Sequence, residues 1–201
     1  MPKTIASTSL FVADPTKGSR FHASVAPCGD AARALSHVDA CRSRWPDASH
    51  HCWAYRLAGG EARSADDGEP GGSAGRPILA QLDGHDIVDG VVVVARWFGG
   101  TKLGVGGLIR AYGGCAGQAL DRAELVAFVP MTDLTVTFAH AHTGDIHHVL
   151  HVYGVEVVDT TWGDSVTMRL RLPTATAGAV RDALRDRTAG AAVVGAPPEG
   201  S

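Results

Sequence analysis

Apolar and polar residues follow three distinct rhythms along this chain, and each predicts a kind of element. Thr4–Val12 predicts a first strand and Arg20–Ala26, which alternates with a period of two, a second, separated by a turn over Asp14–Ser19 that contains Pro15 and Gly18. Asp30 is placed to cap a helix whose face carries Ala31, Ala34, Leu35, Val38 and Cys41 and which stops before Pro46. His50–Leu57 predicts a strand with Trp53, Tyr55 and Leu57 on one side and His50, Cys52 and Ala54 on the other. The polar stretch Ala58–Gly75 predicts a long loop. A short helix near Arg76–Leu82, a buried strand over Ile87–Phe98 and a long helix over Gly106–Ala127 complete this half.

The pattern restarts after Val129-Pro130. Asp133–Ala139 predicts a strand. Thr143–Tyr153 predicts a helix with Ile146, Val149, Leu150 and Tyr153 on its core face and Gly154 at its stop. Val155–Thr161 and Ser165–Leu172 predict a hairpin, Ala175–Thr188 a second helix ended by Gly190, and Ala191–Gly195 a last strand. This β-α-β-β-α-β order is the ferredoxin-like split unit. Two α+β domains follow, 1–129 and 130–201, with no closely repeated sequence unit. The Pro/Gly-rich tail Ala196–Ser201 is expected to fray.

Composition narrows the class. At 201 residues a sizeable core is affordable, and a net charge of −3 rules out a nonspecific polyanion binder while leaving room for a local basic site. Cys28, Cys41, Cys52 and Cys115 form no C-x-x-C and fit free thiols in a reducing compartment. The N-terminus shows no signal peptide, and the longest pure apolar run, Val91–Ala95, is far too short to cross a bilayer. The expectation is a soluble cytoplasmic protein with no membrane partner.

The stretch from Val91 to Leu120 holds the most chemistry. An apolar run meets the glycine-rich loop Gly99–Gly107, which opens into a helix, and its three cations Arg96, Lys102 and Arg110 have no acid among them. Gly99, Gly100, Gly104, Gly106 and Gly107, with the start of the helix, suit an anion held by backbone N–H groups with Lys102 as a compact charge. Both formal nucleotide fingerprints fail: Val105-Gly106 follows Gly104 where Walker A needs Lys and Ser/Thr, and Ile109 stands where the dinucleotide motif needs its third glycine. Tight strand–helix packing explains the glycines equally well. For Gly113, Gly114 and Gly117 farther along the helix, close packing on the sheet is the expectation.

Asp66, Asp67 and Glu69 could hold a divalent cation or act as acid and base, or could form a solvated turn. His50 and His51 flank a strand start and read as structural or as binding-surface histidines. Cys115 reads as a packed small hydrophobe. His147 and His151 could share a metal at i, i+4, but no Glu stands in H-E-x-x-H position, and with His140, His142 and His148 they read as exposed polar residues. No cofactor and no catalytic residue is assigned.

Four segments carry a resemblance: KGSRFHASVAP (Lys17–Pro27), WPDASHHCWAYRL (Trp45–Leu57), DDGEPGGSAGRPIL (Asp66–Leu79) and VVVVARWFGGTKLGVGGLIRAY (Val91–Tyr112). Together they resemble the IMPACT/YigZ family, bacterial YigZ-like branch. The resemblance implies a first domain with the α/β fold of the second domain of a small-subunit ribosomal protein and of GHMP kinases, and a ferredoxin-like second domain similar to one in elongation factor G. It also implies translation regulation. Eukaryotic relatives act in the amino-acid-starvation stress response by competing for a kinase activator, whereas bacterial members look like ribosome or RNA binders. The first domain begins near residue 1, so the eukaryotic-type N-terminal partner-binding domain is not expected here. Trp97 replaces a frequent Tyr, and Ala65 replaces a Ser, which counts against a nucleophilic serine there.

Two functional readings follow. In the first, the protein is a non-catalytic regulator that binds RNA, the ribosome or a translation-factor surface through Arg96, Lys102 and Arg110, Arg96 being equally open to a structural role, with His50 and His51 contributing edges. In the second, it is a phosphate- or nucleotide-dependent small-molecule enzyme for phosphoryl transfer or hydrolysis, with Asp66, Asp67 or Glu69 holding Mg²⁺. The second requires the fold to bring the acidic and basic loops together.

Overall fold

The computed structural model describes residues 1–196; of the Pro/Gly-rich tail, residues 197–201 lie outside the described residues. The chain is mixed α and β and divides into two compact units, Met1–Phe128 and a second that begins at Val129.

In the first unit the strands are β1 (Lys3–Ile5), β2 (Ser9–Val12), β3 (Arg20–Pro27), β4 (His50–Arg56), β5 (Ala62–Ala65), β6 (Gly90–Trp97) and β7 (Leu125–Ala127). The helices are α1 (Ala31–Arg44), α2 (Gly75–Gly84) and α3 (Val105–Arg122). A five-stranded antiparallel sheet has the order β2-β3-β6-β4-β5, so β6 is central and reads as a continuous apolar run because both its faces are covered. Val92 and Val94 pack with Ile78, Leu82, Leu108, Tyr112 and Leu120 of α2 and α3, and Val91 and Val93 pack with Ala34, Val38 and Cys41 of α1 on the other face. Asp30 does cap α1, its carboxylate accepting from the Arg33 N–H at 2.7 Å.

Several sequence expectations need correction. The first strand is broken in two: β1 pairs with β7 while β2 pairs with β3, so Ala6–Thr8 is the crossing between two sheets. The long helix stops at Arg122, and Leu125–Ala127 leaves it to pair with residues 3–5, a partner 120 residues away that no local period reveals. The polar loop after β4 contains β5, which forms a hairpin with β4 at register Trp53↔Ala65. Two of the glycines of α3 face α2, not the sheet: a Cβ on Gly117 would lie 2.7 Å from Gln81 Oε1, and one on Gly113 3.6 Å from Pro77, while Gly114 meets nothing within 4 Å.

The second unit holds β8 (Met131–Phe138), α4 (Thr143–Tyr153), β9 (Glu156–Trp162), β10 (Val166–Pro173), α5 (Ala177–Arg187) and β11 (Val193–Gly195). Its antiparallel sheet has the order β11-β8-β10-β9, the ferredoxin-like arrangement. Ile146, Val149 and Leu150 of α4 and Val180 and Leu184 of α5 pack on Leu134, Val136, Phe138, Met168 and Leu170. Tyr153, expected in the core, is 41% exposed, because it ends α4 at the helix stop rather than over the sheet. His147, His148 and His151 are exposed on α4. No helix among the described residues is long and apolar enough to cross a membrane.

Candidate functional site

The site forms where β6 leaves the sheet. Alternation along β6 turns Arg96 to the same side as Val92 and Val94, toward α3, and makes it 4% exposed. Its Nη1 donates to Glu69 Oε1 at 2.6 Å and its Nη2 to Ser19 Oγ at 3.2 Å. The Tyr112 hydroxyl on α3 donates to the same Glu69 oxygen at 2.7 Å. Burial, with the Cys52 thiol and Glu69 beside it, pushes the Tyr112 phenol far above its ordinary value, so it remains a donor. The guanidinium lies 5.7 Å from the Phe21 ring centroid and 5.5 Å from that of Phe98. Arg96 is therefore an internal tie between the acidic loop, the sheet and α3, the structural one of its two expected roles rather than an exposed phosphate contact.

The acidic loop is built by its own first two residues. One Asp66 oxygen accepts from the Gly72 N–H at 2.7 Å, and the other accepts from Ala74 at 2.9 Å and Gly75 at 2.8 Å, at the start of α2. Burial alone would raise this carboxyl; the three backbone donors and nearby Arg76 outweigh it and hold it below the ordinary carboxylate value. Asp67, at φ +43°, accepts from the His51 backbone N–H at 2.7 Å and from Arg42 Nη2 at 3.1 Å. The two carboxylates are spent on backbone and Arg42, and only Glu69 of the acidic trio lines the cavity described below.

The histidines are similarly occupied. His51 is 7% exposed, and its Nε2 meets the Trp45 carbonyl at 3.0 Å, so it offers no edge to a ligand. His50 Nδ1 lies 2.8 Å from the Asp67 carbonyl, which only accepts; Nδ1 therefore carries the proton, and Nε2 points toward Glu69 at 3.9 Å.

The glycine loop divides by role. A Cβ on Gly99 would fall 1.9 Å from the carbonyl carbon of Gly18, so the two turns touch backbone to backbone and only glycine fits. The Ser19 hydroxyl accepts from the Gly99 N–H at 3.2 Å and fastens the contact. Gly100 is exposed with φ +82°. Gly104, with φ +71°, ends the loop as the first flank of α3, and no side chain caps the helix, which leaves the amides of Val105, Gly106 and Gly107 without a side-chain acceptor.

A cavity of about 320 Å³ opens here, lined by Glu69, Arg96, Phe98, Lys102, Gly104 and Val105 with Leu103 and Leu108 behind them. The acidic and the basic glycine-rich segments thus meet at Glu69 and Lys102. Next to it, a smaller cavity of about 210 Å³ gathers Lys17, Leu103, Gly107 and Arg110. Lys17, Lys102 and Arg110 are exposed and take part in no ion pair among the described residues. Phe98 is 51%, Val105 54% and Ile109 42% exposed around them.

Four contributors escaped the sequence reading. Lys17 and Ser19 stand in the turn before β3, and their role depends on its contact with the loop at Gly99. The sequence pattern marks Phe98 only as a strand end. Tyr112 had a detectable signal: it falls on the buried face of α3 with Leu108, Cys115 and Ala116, where a phenol needs an acceptor.

Residues 17–120 match the model of the Impact N-terminal domain, and residues 136–191 match a domain of unknown function, DUF1949. The chain is 35% identical to the IMPACT family member YigZ of Escherichia coli (strain K12) over 85% of this chain and 86% of that protein. It is 39% identical to the IMPACT family member in the pol 5′ region of Thermus thermophilus over 77% of this chain and 84% of that one. A solved structure titled as the crystal structure of a hypothetical protein superposes with a TM-score of 0.77 at 32% identity, covering 98% of both chains. With the first unit matched through its signature loop and relatives aligned across most of their length, the chain belongs to the IMPACT family.

Proposed function

We propose that this protein is a translation-associated regulator that binds RNA, in the ribosome or free, through the face around the start of α3. One observation carries the reading. Lys17, Lys102 and Arg110 are exposed, unpaired among the described residues and grouped at an uncapped helix N-terminus beside the exposed ring of Phe98. Cations and free amides attract phosphate, and an aromatic ring beside them offers a base a surface to stack on. The net charge of −3 makes any attraction of phosphate local rather than a property of the whole surface. Family membership supports the translation setting.

The test is binding to single-stranded RNA and to ribosomes across a salt series. Three phosphate contacts give a slope of log K against log salt of about −2 on single strands. Lys102→Ala should reduce that slope by roughly 0.7 and weaken binding to unrelated sequences alike. No association at low ionic strength would remove the reading, and capture of a protein factor in place of RNA would replace it with a protein-surface role.

A second reading, phosphate-dependent chemistry, has one observation in its favour: Glu69 and Lys102 line one cavity. Asp66 and Asp67 are engaged elsewhere, which leaves Glu69 as the one acid of the loop placed for a cation. Magnesium-dependent turnover of a nucleoside triphosphate that is lost in Glu69→Gln would establish it, and absence of turnover at high enzyme concentration would remove it.

A further inference from the structure

We infer that the 320 Å³ cavity beside α3 holds one unpaired guanine nucleotide, its base against Glu69 and its phosphate at Lys102. This rests on the RNA-binding reading and adds base selectivity to it.

The Glu69 side chain is 4% exposed, and both hydrogen bonds it receives, from Arg96 and Tyr112, fall on Oε1. Oε2 receives none among the described residues, and it is not one of the sealed-off polar atoms. A carboxylate oxygen only accepts, so an occupant must bring an N–H or O–H to it. Phe98, Leu103 and Leu108 give the same cavity apolar walls that suit a flat ring. At its mouth Lys102 and the free amides at the start of α3 ask for an anion. A nucleotide carries both, a flat ring with a donor edge at one end and an anion at the other. The volume lies at the low end for small-molecule sites and admits one mononucleotide rather than a longer segment.

The lone acceptor discriminates among bases. The pairing edge of guanine places N1–H and the N2 amino group side by side, two donors for one oxygen. The amino groups of adenine and cytosine lie next to a ring nitrogen lone pair that repels the carboxylate. Uracil offers one N–H between two carbonyls. The expected order is guanine first, adenine and cytosine next, uracil last, with guanine over uracil by roughly tenfold or more.

Free nucleotide and an unpaired guanosine in RNA share this chemistry, so the experiment has two arms. The full chain is titrated with GMP, AMP, CMP and UMP as 5′-monophosphates, and separately with a short single-stranded RNA carrying one central G and its G-to-U counterpart. The expected result is a Kd for GMP at least tenfold below that for UMP, or the same preference for the G-containing RNA. A preference in both arms assigns the site to either source, and one confined to the RNA arm assigns it to RNA. Phe98→Ala, which also takes one ring from Arg96, should weaken the preferred ligand about tenfold with the protein still folded at the assay temperature, and Glu69→Gln, assayed below its own unfolding midpoint, should erase the difference between G and U. Equal binding of all four monophosphates, together with a G-to-U swap that leaves Kd within twofold, overturns the inference. If those RNAs still bind with the expected salt slope, the RNA-binding reading survives and the nucleotide pocket alone is lost.

Discussion

Replacing Glu69 by Ala should be among the most damaging single changes in the first unit. The Glu69 and Arg96 side chains are 4% and 5% exposed and joined at 2.6 Å. Without the carboxylate, Arg96 retains the Ser19 hydroxyl and two aromatic rings but no counter-charge, and the Tyr112 hydroxyl loses its acceptor. Breaking one side of a buried pair costs about 3–5 kcal/mol, and an orphaned buried hydroxyl costs about 1–3. Both losses trace to one oxygen and overlap, so the expected total is about 3–5 kcal/mol, roughly 10–20 °C in Tm for a unit of this size. Urea unfolding followed by tryptophan fluorescence reads it, because three of the four tryptophans, Trp45, Trp53 and Trp97, belong to the first unit, and the fourth, Trp162, is already 60% exposed in the folded second unit. The double variant Glu69→Ala/Arg96→Met should recover at least half of the loss, since it removes the stranded charge as well. A single-variant cost under about 1 kcal/mol, or strict additivity in the double, would refute the buried tie as the brace of this site.

Three further outcomes follow from the same structure. Asp66 has a depressed carboxyl pKa, so its contribution is complete above the ordinary carboxylate range and is lost as pH falls through its lowered value; the stability gap between wild type and Asp66→Asn should be widest near neutrality and close below about pH 4 in acid titrations followed by circular dichroism. Gly99→Ala should destabilise by about 1–3 kcal/mol or more because its Cβ meets the Gly18 backbone, whereas Gly114→Ala, with nothing within 4 Å, should stabilise by about 1 kcal/mol; paired thermal melts that failed to show opposite signs would contradict this account of the glycines. Burial pushes the thiols of Cys28, Cys52 and Cys115 up to about 12, so native protein at pH 8 should resist alkylation at these positions and react only on unfolding, as mass spectrometry would show.

Much of this fold is written locally. The two-residue alternation around β3 and β4, the Asp30 cap, the helical face of α4 and the Gly154 stop need only neighbouring residues, and the structure has them in place. What escaped is nonlocal. β7 exists because residues 125–127 meet residues 3–5, and β5 exists because β4 offers it an edge. The site is legible in the same measure. The signature loop marks the place, and the alternation of β6 already implies that Arg96 points inward with Val92 and Val94. That Asp66 serves the start of α2 while Glu69 alone reaches Arg96 and Tyr112 depends on how the Asp67–Gly68 turn folds back on β4, which spacing does not encode.

The central claim is that exposed cations at the start of α3 bind phosphate while Arg96 holds the site together from within. The measurement that reaches it most directly is RNA affinity against salt for wild type, Lys102→Ala and the triple variant Lys17→Ala/Lys102→Ala/Arg110→Ala, with unfolding midpoints recorded for each. The expected result is a slope near −2 that falls by roughly 0.7 in the single variant and toward zero in the triple, all with wild-type stability. Undiminished, salt-dependent RNA binding by the folded triple variant would contradict it.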